Sequence, residues 1–157
     1  PAGPEMDKRA QQGNPKAFQF TKPRVDGLNF SFSGLKTAIL YFVQRETKKN
    51  PDFVKENLND ICASIQYTII GILIDKLKLA SKQTGIKQIA IGGGVSANSG
   101  IRQALKDGEQ KFGWKTYIPK FEYTTDNAAM IAIVGYLKYL ERDFSDFDVM
   151  ATARLKI

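Results

Sequence analysis

Gln88-Ile89-Ala90-Ile91-Gly92-Gly93-Gly94-Val95-Ser96-Ala97-Asn98 is the stretch on which the fold turns. A short apolar run followed by three glycines reads as a buried strand entering a loop, and Gly100 to Phe112 reads as the helix after it. Lys115 to Pro119 has the pattern of a second strand and Asp126 to Arg142 that of a final apolar helix. Strand, glycine turn, helix, strand, helix is the order of a parallel α/β sheet. The expected fold class is therefore α/β with a heavy helical share.

Upstream, Leu58, Ile61, Ile65, Ile69, Ile72, Leu73 and Leu77 give one broad apolar face to a helix expected over Val54 to Thr84, with Gly85 where a C-cap belongs. Leu35, Ile39, Leu40, Phe42 and Val43 recur at helical spacing, and Asn50-Pro51 closes that segment. Ala17 to Phe20 and Leu28 to Phe32 alternate in the manner of strands. Glu5 to Gln12 is expected as a short helix after a Pro1-Ala2-Gly3-Pro4 turn, stopped by Gly13, Asn14 and Pro15.

The 157 residues are 43% hydrophobic and 25% charged, which suits one folded domain with a core and excludes a disordered or fibrous chain. No histidine is present, so a Ser/His/Asp triad, a Cys/His dyad and a His-ligated zinc site cannot be assembled from this chain alone. A single cysteine, Cys62, excludes an internal disulfide and fits a reducing cytoplasm. The longest apolar run, Ile69 to Ile74, is interrupted by Gly71 and ended by Asp75, so neither a membrane span nor a membrane partner is expected. The first residue is Pro1 rather than Met, which suggests a piece cut from a longer protein. The net charge of +7 is concentrated in residues 1–50, where nine basic side chains face four acidic ones. That surplus is compatible with an anionic partner such as tRNA, and equally with a solvated face.

Four segments could carry chemistry. The glycine triplet lets a ligand approach the backbone, and the N–H groups of the loop and of the following helix attract anions, as a nucleotide phosphate would require. A plain strand-to-helix turn is the alternative. A Walker loop is excluded, because Val95 and Ser96 stand where Lys and Ser/Thr are needed. Gly92, Gly94 and Ala97 satisfy G-x-G-x-x-A, but Trp114 to Lys120 lacks the carboxylate of a dinucleotide site. Asp126, ahead of an apolar helix, is either its cap or one oxygen ligand of a metal completed from elsewhere. In Asn29-Phe30-Ser31-Phe32-Ser33-Gly34-Leu35-Lys36-Thr37, Ser33 is the candidate N-cap, and Lys36 in a first turn opposes the helix dipole and hints at a nearby anion. Glu5 and Asp7 are first-turn acids, and Asp7 is also a candidate for the paired hydroxyls of a ribose. No aromatic platform for single-stranded RNA stands out.

In this order and at these separations, P-x-G-P-E-x-D-K, F-S-F-S-G-L-K-T, G-G-G-V-S-A-N and T-D-N-A-A-M-I-A resemble the C-terminal half of the tRNA threonylcarbamoyladenosine transferases, the bacterial TsaD type once mislabelled O-sialoglycoprotein endopeptidase. The resemblance implies a ribonuclease H-like lobe of the actin-like ATPase superfamily, with a mixed sheet and several helices. On this reading residues 1–157 are the second lobe of a two-lobed enzyme whose first lobe is not in this chain. It also implies transfer of a threonylcarbamoyl group from threonylcarbamoyl-AMP to the exocyclic amine of the adenosine 3′ of the anticodon. Position by position, Gly3, Asp7 and Asn98 match residues contacting the adenylate, Gly93 and Gly94 line the same pocket, and Asp126 matches a metal ligand. The implied metal is one divalent ion, iron foremost, with zinc and magnesium as alternatives, completed by two histidines of the other lobe. The fragment alone would be inactive, and no catalytic side chain is assigned. Implied partners are tRNA, a degenerate paralogue and a small ATPase, in the cytoplasm. Two positions depart from the family pattern: Ala2 stands where Gly is usual and Ser99 where Arg is frequent. Another actin-like ATPase or sugar kinase lobe, and a non-catalytic docking lobe, are the alternatives.

Overall fold

The computed structural model describes residues 2–150, so Pro1 of the anticipated N-terminal turn and residues 151–157 of the anticipated lobe lie outside the described residues. The chain divides into two units, Pro1–Thr124 and Thr125–Ile157.

The first unit is built on α4 (Leu58–Thr84), 27 residues and so about 40 Å long. Its expected stop holds: Gly85 adopts φ 73°, a left-handed conformation, and its N–H returns to the Ser81 carbonyl. The anticipated single helix from Val54 is instead two, because α3 (Phe53–Glu56) ends at Asn57, whose side-chain amide donates to the Phe53 carbonyl. Contrary to the expectation from unbroken apolar runs, α4 is long and apolar enough to cross a membrane by length and composition. Averaged over its turns, scattered small and polar residues such as Gly71 and Ser64 do not offset the Ile and Leu content. Its buried positions include Ile61, Cys62, Ser64, Thr68 and Ile72.

α1 (Ala2–Ala10) lies against α4. It starts earlier than expected, with Pro4 in the first turn, where a missing N–H costs nothing. From Gln11 to Phe32 the chain has no regular structure. α4 holds it by polar side chains: Asp60 accepts the Asn14 N–H at 2.7 Å, and fully buried Ser64 accepts the Phe18 N–H while donating to the Asn14 carbonyl. Farther along, Lys22 pairs with Asp75, and Lys76 donates to the Val25 and Gly27 carbonyls. The strands expected over 17–20 and 28–32 are therefore absent. Their alternation is real but serves side chains: Phe18 and Phe20 both turn onto Phe42 of α2 (Ser33–Lys49), at 5.1 and 5.3 Å between ring centroids. Phe30 and Phe32 stack on each other at 6.2 Å. An alternating segment becomes a strand only where another backbone pairs with it.

β1 (Gln88–Ala90) and β2 (Lys115–Tyr117) do pair, in parallel, with Ile89 opposite Thr116 and α5 (Ser99–Phe112) between them in sequence. The sheet is this two-stranded pair; among the described residues no antiparallel strand makes it mixed. Ile89, Leu105 and Trp114 form its buried core, joined by Ile74 and Leu77 of α4. Gly108 allows the Trp114 ring to lie directly on α5, since a Cβ there would collide with the indole.

The second unit contains α6 (Ala128–Glu141). None of its side chains is buried, although Met130, Ile131, Ile133, Val134, Leu137 and Leu140 all lie on it.

Candidate functional site

The parallel pair ends at Ala90 and Tyr117, and the loop after β1 contains the three glycines. Gly93 has φ 73° and ψ 177°, a region that only glycine enters freely. Beyond it Gly94–Ala97 makes one 3-10 turn, closed by Ser96, whose N–H and hydroxyl both donate to the Gly93 carbonyl. Space is open around all three glycines, and the N–H groups of Gly92 and Gly93 have no acceptor among the described residues.

Arg102, one turn into α5, fixes the end of this loop. Its guanidinium donates to the Ser96 carbonyl at 2.6 Å and to the Pro119 carbonyl at 2.8 Å, joining the segments that leave β1 and β2. Sequence reading passed over Arg102, which looks like any helix-surface base. Beneath the loop is a predominantly apolar cavity of about 220 Å³, lined by Ile70, Leu73 and Ile74 of α4, Ile101 and Leu105 of α5, and by Phe30, Gly92 and Val95.

Asp7 and Asn98, 91 residues apart, are in direct hydrogen bond. Asn98 is the N-cap of α5: its Oδ1 accepts the Ile101 N–H at 3.0 Å. Its Nδ2 donates to Gln66 Oε1 at 2.7 Å and to Asp7 Oδ1 at 3.2 Å. Asp7 Oδ1 also accepts from Gln66 Nε2 at 3.0 Å and from the Ser99 hydroxyl at 2.8 Å, while Oδ2 accepts the Ser99 N–H at 3.0 Å. The amino end of α5 is thus already occupied by an anion, the Asp7 carboxylate, in the place where a helix dipole favours negative charge. This corrects the expectation that the helix N–H groups are offered to a ligand phosphate; the unengaged donors belong to the glycine loop. Ser99, at the position where Arg was the family pattern, gives Asp7 both its donors. Gly3 sits one turn before Asp7 on α1, and nothing lies within 4 Å of where its side chain would project.

Ser33 is the first helical residue of α2 rather than its N-cap; the cap position is Phe32, without a side-chain bond. Lys36 is exposed and pairs with no anion among the described residues. In the second unit the cap of α6 is Asn127, whose Oδ1 accepts the Met130 N–H, so Asp126 is not the cap. The Asp126 carboxylate is exposed and takes no hydrogen bond or ion pair among the described residues. No group of three or more potential metal-ligating side chains occurs among them either. Cys62 is buried; desolvation pushes its thiol pKa up, which keeps it protonated and out of nucleophilic chemistry.

The family described as TsaD, tRNA N6-adenosine threonylcarbamoyltransferase, matches residues 1–133. A protein of that name from Christiangramia forsetii is 75% identical over 156 residues, 99% of this chain and 46% of its own length. One from Riemerella anatipestifer is 59% identical over the whole chain, and one from Thermosipho africanus is 43% identical. The chain spans about half the length of the curated relatives it matches. With the family matched over most of the sequence and relatives 59 to 75% identical along it, the chain belongs to the tRNA N6-adenosine threonylcarbamoyltransferase family.

Proposed function

We propose that this chain is the nucleotide-holding lobe of a tRNA-modifying acyltransferase, a ribonuclease H-like lobe of the actin-like ATPase type. The observation that carries the reading is the open glycine loop with two unengaged N–H groups above an apolar cavity, beside a carboxylate fixed at a helix terminus. The cavity offers an apolar slot to a purine ring. Asp7 Oδ1 is saturated by three donors, but Oδ2 accepts only one and retains a lone pair for a ribose hydroxyl. The loop N–H groups of Gly92 and Gly93 suit the phosphate of an adenylate.

The reaction proposed is attack of the adenosine N6 amine on the carbamoyl carbon of threonylcarbamoyl-AMP. The N–C bond forms, the C–O bond to phosphate breaks, AMP departs, and the amine loses a proton. An aryl amine is a weak nucleophile, so positioning supplies much of the rate, and no covalent protein nucleophile is required. The residues named here bind and orient the adenylate; none of them is assigned the proton.

A divalent metal fits this chain in part. Asp126 offers one hard, exposed carboxylate without a competing partner among the described residues, and the two histidines that the family resemblance implies would have to come from the other lobe. Such an ion would supply charge stabilisation at the carbamoyl oxygen and leaving phosphate. Iron, zinc and magnesium are all compatible with one carboxylate oxygen. The proposed setting is the cytoplasm, with the degenerate paralogue and small ATPase that the family resemblance implies as protein partners.

The test is tRNA modification by a polypeptide of the relatives' full length that carries this chain, read by mass spectrometry of digested tRNA. Asn98→Ala and Asp126→Ala are each expected to lower modification at least tenfold, on the order of one lost charged or capping interaction. Undiminished modification in both variants overturns the enzyme reading in favour of a docking lobe.

A further inference from the structure

We propose that Gln66, on α4, is a positioning residue of this site, setting Asp7 and Asn98 in the register that a bound nucleoside meets; the inference rests on the function proposed above. The orientation of its amide follows from its neighbours. Asn98 Oδ1 is held by the Ile101 N–H, so the Asn98 amide nitrogen must point toward α4. The Asp7 carboxylate can only accept. Gln66 therefore presents its oxygen to Asn98 at 2.7 Å and its nitrogen to Asp7 at 3.0 Å, donating to one and accepting from the other. Both bonds are shorter than the direct Asn98–Asp7 contact of 3.2 Å, so Asn98 is tied to Asp7 more closely through the glutamine than directly, alongside the two Ser99 bonds that join α5 to Asp7. α5 leaves room for it: a Cβ on Gly100 would stand 3.0 Å from Gln66 Nε2 and 2.6 Å from Ile70 Cδ1.

A neutral side chain of this length with one donor and one acceptor is required, and a protonated glutamic acid is the nearest substitute. Its hydroxyl can donate to Asp7 while its carbonyl accepts from Asn98. Ionised, it cannot donate, and it places a second negative charge against Asp7. Of the other charged groups on the packed elements, Glu5 and Arg9 of α1 pair with each other, Asp60 of α4 accepts the Asn14 N–H, and Arg102 of α5 is bonded to two carbonyls. Asp7 is thus the titratable partner bonded to Gln66.

The experiment measures adenosine binding against pH, from mildly acidic to mildly alkaline, by a full-length polypeptide carrying this chain. Adenosine does not titrate there, so its own charge does not enter. Gln66→Leu is expected to weaken binding about tenfold at every pH, from the loss of hydrogen bonds to a charged group. Gln66→Glu is expected to bind as poorly at alkaline pH and to recover toward the parent as acidification adds a single proton between the new carboxylate and Asp7. A merely structural glutamine would not give the variant this new pH dependence. If both variants bind adenosine as the parent does, or Gln66→Glu follows the parent's pH profile, the Gln66 proposal is overturned while the nucleotide reading stands. If the parent itself binds no adenosine, the functional reading fails and takes this proposal with it.

Discussion

Gly93 shows how much one backbone angle decides at this site. At φ 73° and ψ 177° an alanine is strained whatever the surrounding space, and the open space around it gives no packing reason for glycine. Gly93→Ala is expected to cost about 1–3 kcal/mol, read as a lower denaturation midpoint, and to displace the N–H groups on either side. At Gly92 and Gly94, where the space is equally open and φ is not in that region, alanine is expected to be milder. Cys62 offers a second residue-scale check: buried and with its thiol pKa raised, it should react with a thiol reagent at neutral pH only after denaturation. Gly93 and Gly94 were legible as a loop open to a ligand, and Asp7 and Asn98 only through the family resemblance, since alone Asp7 reads as an ordinary first-turn acid. Gln66 and Arg102 were not, since a helix-borne Gln or Arg acquires its meaning only from what another element brings to it.

Among the elements, α5 is tied to both strands' surroundings by side chains as well as by packing. Glu109 accepts from the Thr116 hydroxyl at 2.6 Å and from its N–H at 2.9 Å, joining α5 to β2. These bonds hold the Glu109 carboxyl below the usual carboxylate range. With the folded pKa depressed, the contribution is whole above the unfolded value and is lost as pH falls through the folded one. Acidification should therefore destabilise the parent more steeply than Glu109→Ala, and equal slopes of Tm against pH would contradict this. At the preceding position of the same helix, Gly108→Leu forces a side chain into the Trp114 ring and should cost about 1–3 kcal/mol or more. The helices and the parallel pair were readable because their periodicities are local. The segments 17–20 and 28–32 were misread because alternation alone cannot say whether a neighbour supplies a backbone or a cluster of rings.

Across the whole molecule, the two units differ in how their apolar side chains are treated. α4 and α5 each bury part of theirs, whereas α6, 14 residues and largely apolar, buries none. A helix of that length without packing is marginal in water. In the isolated chain, amide exchange is expected to be far faster over Ala128–Glu141 than over Leu58–Thr84, and protection of α6 should rise in a polypeptide of full length. Composition announced that a core exists; it could not announce that the apolar side chains of α6 would stand unburied among the described residues. The Arg102 fork has a consequence of its own. Because one planar cation reins in both strand exits, a guest drawing the glycine loop toward itself would tug on Pro119 as well, and amide exchange along residues 119–124 is the place to look for occupancy of the proposed pocket.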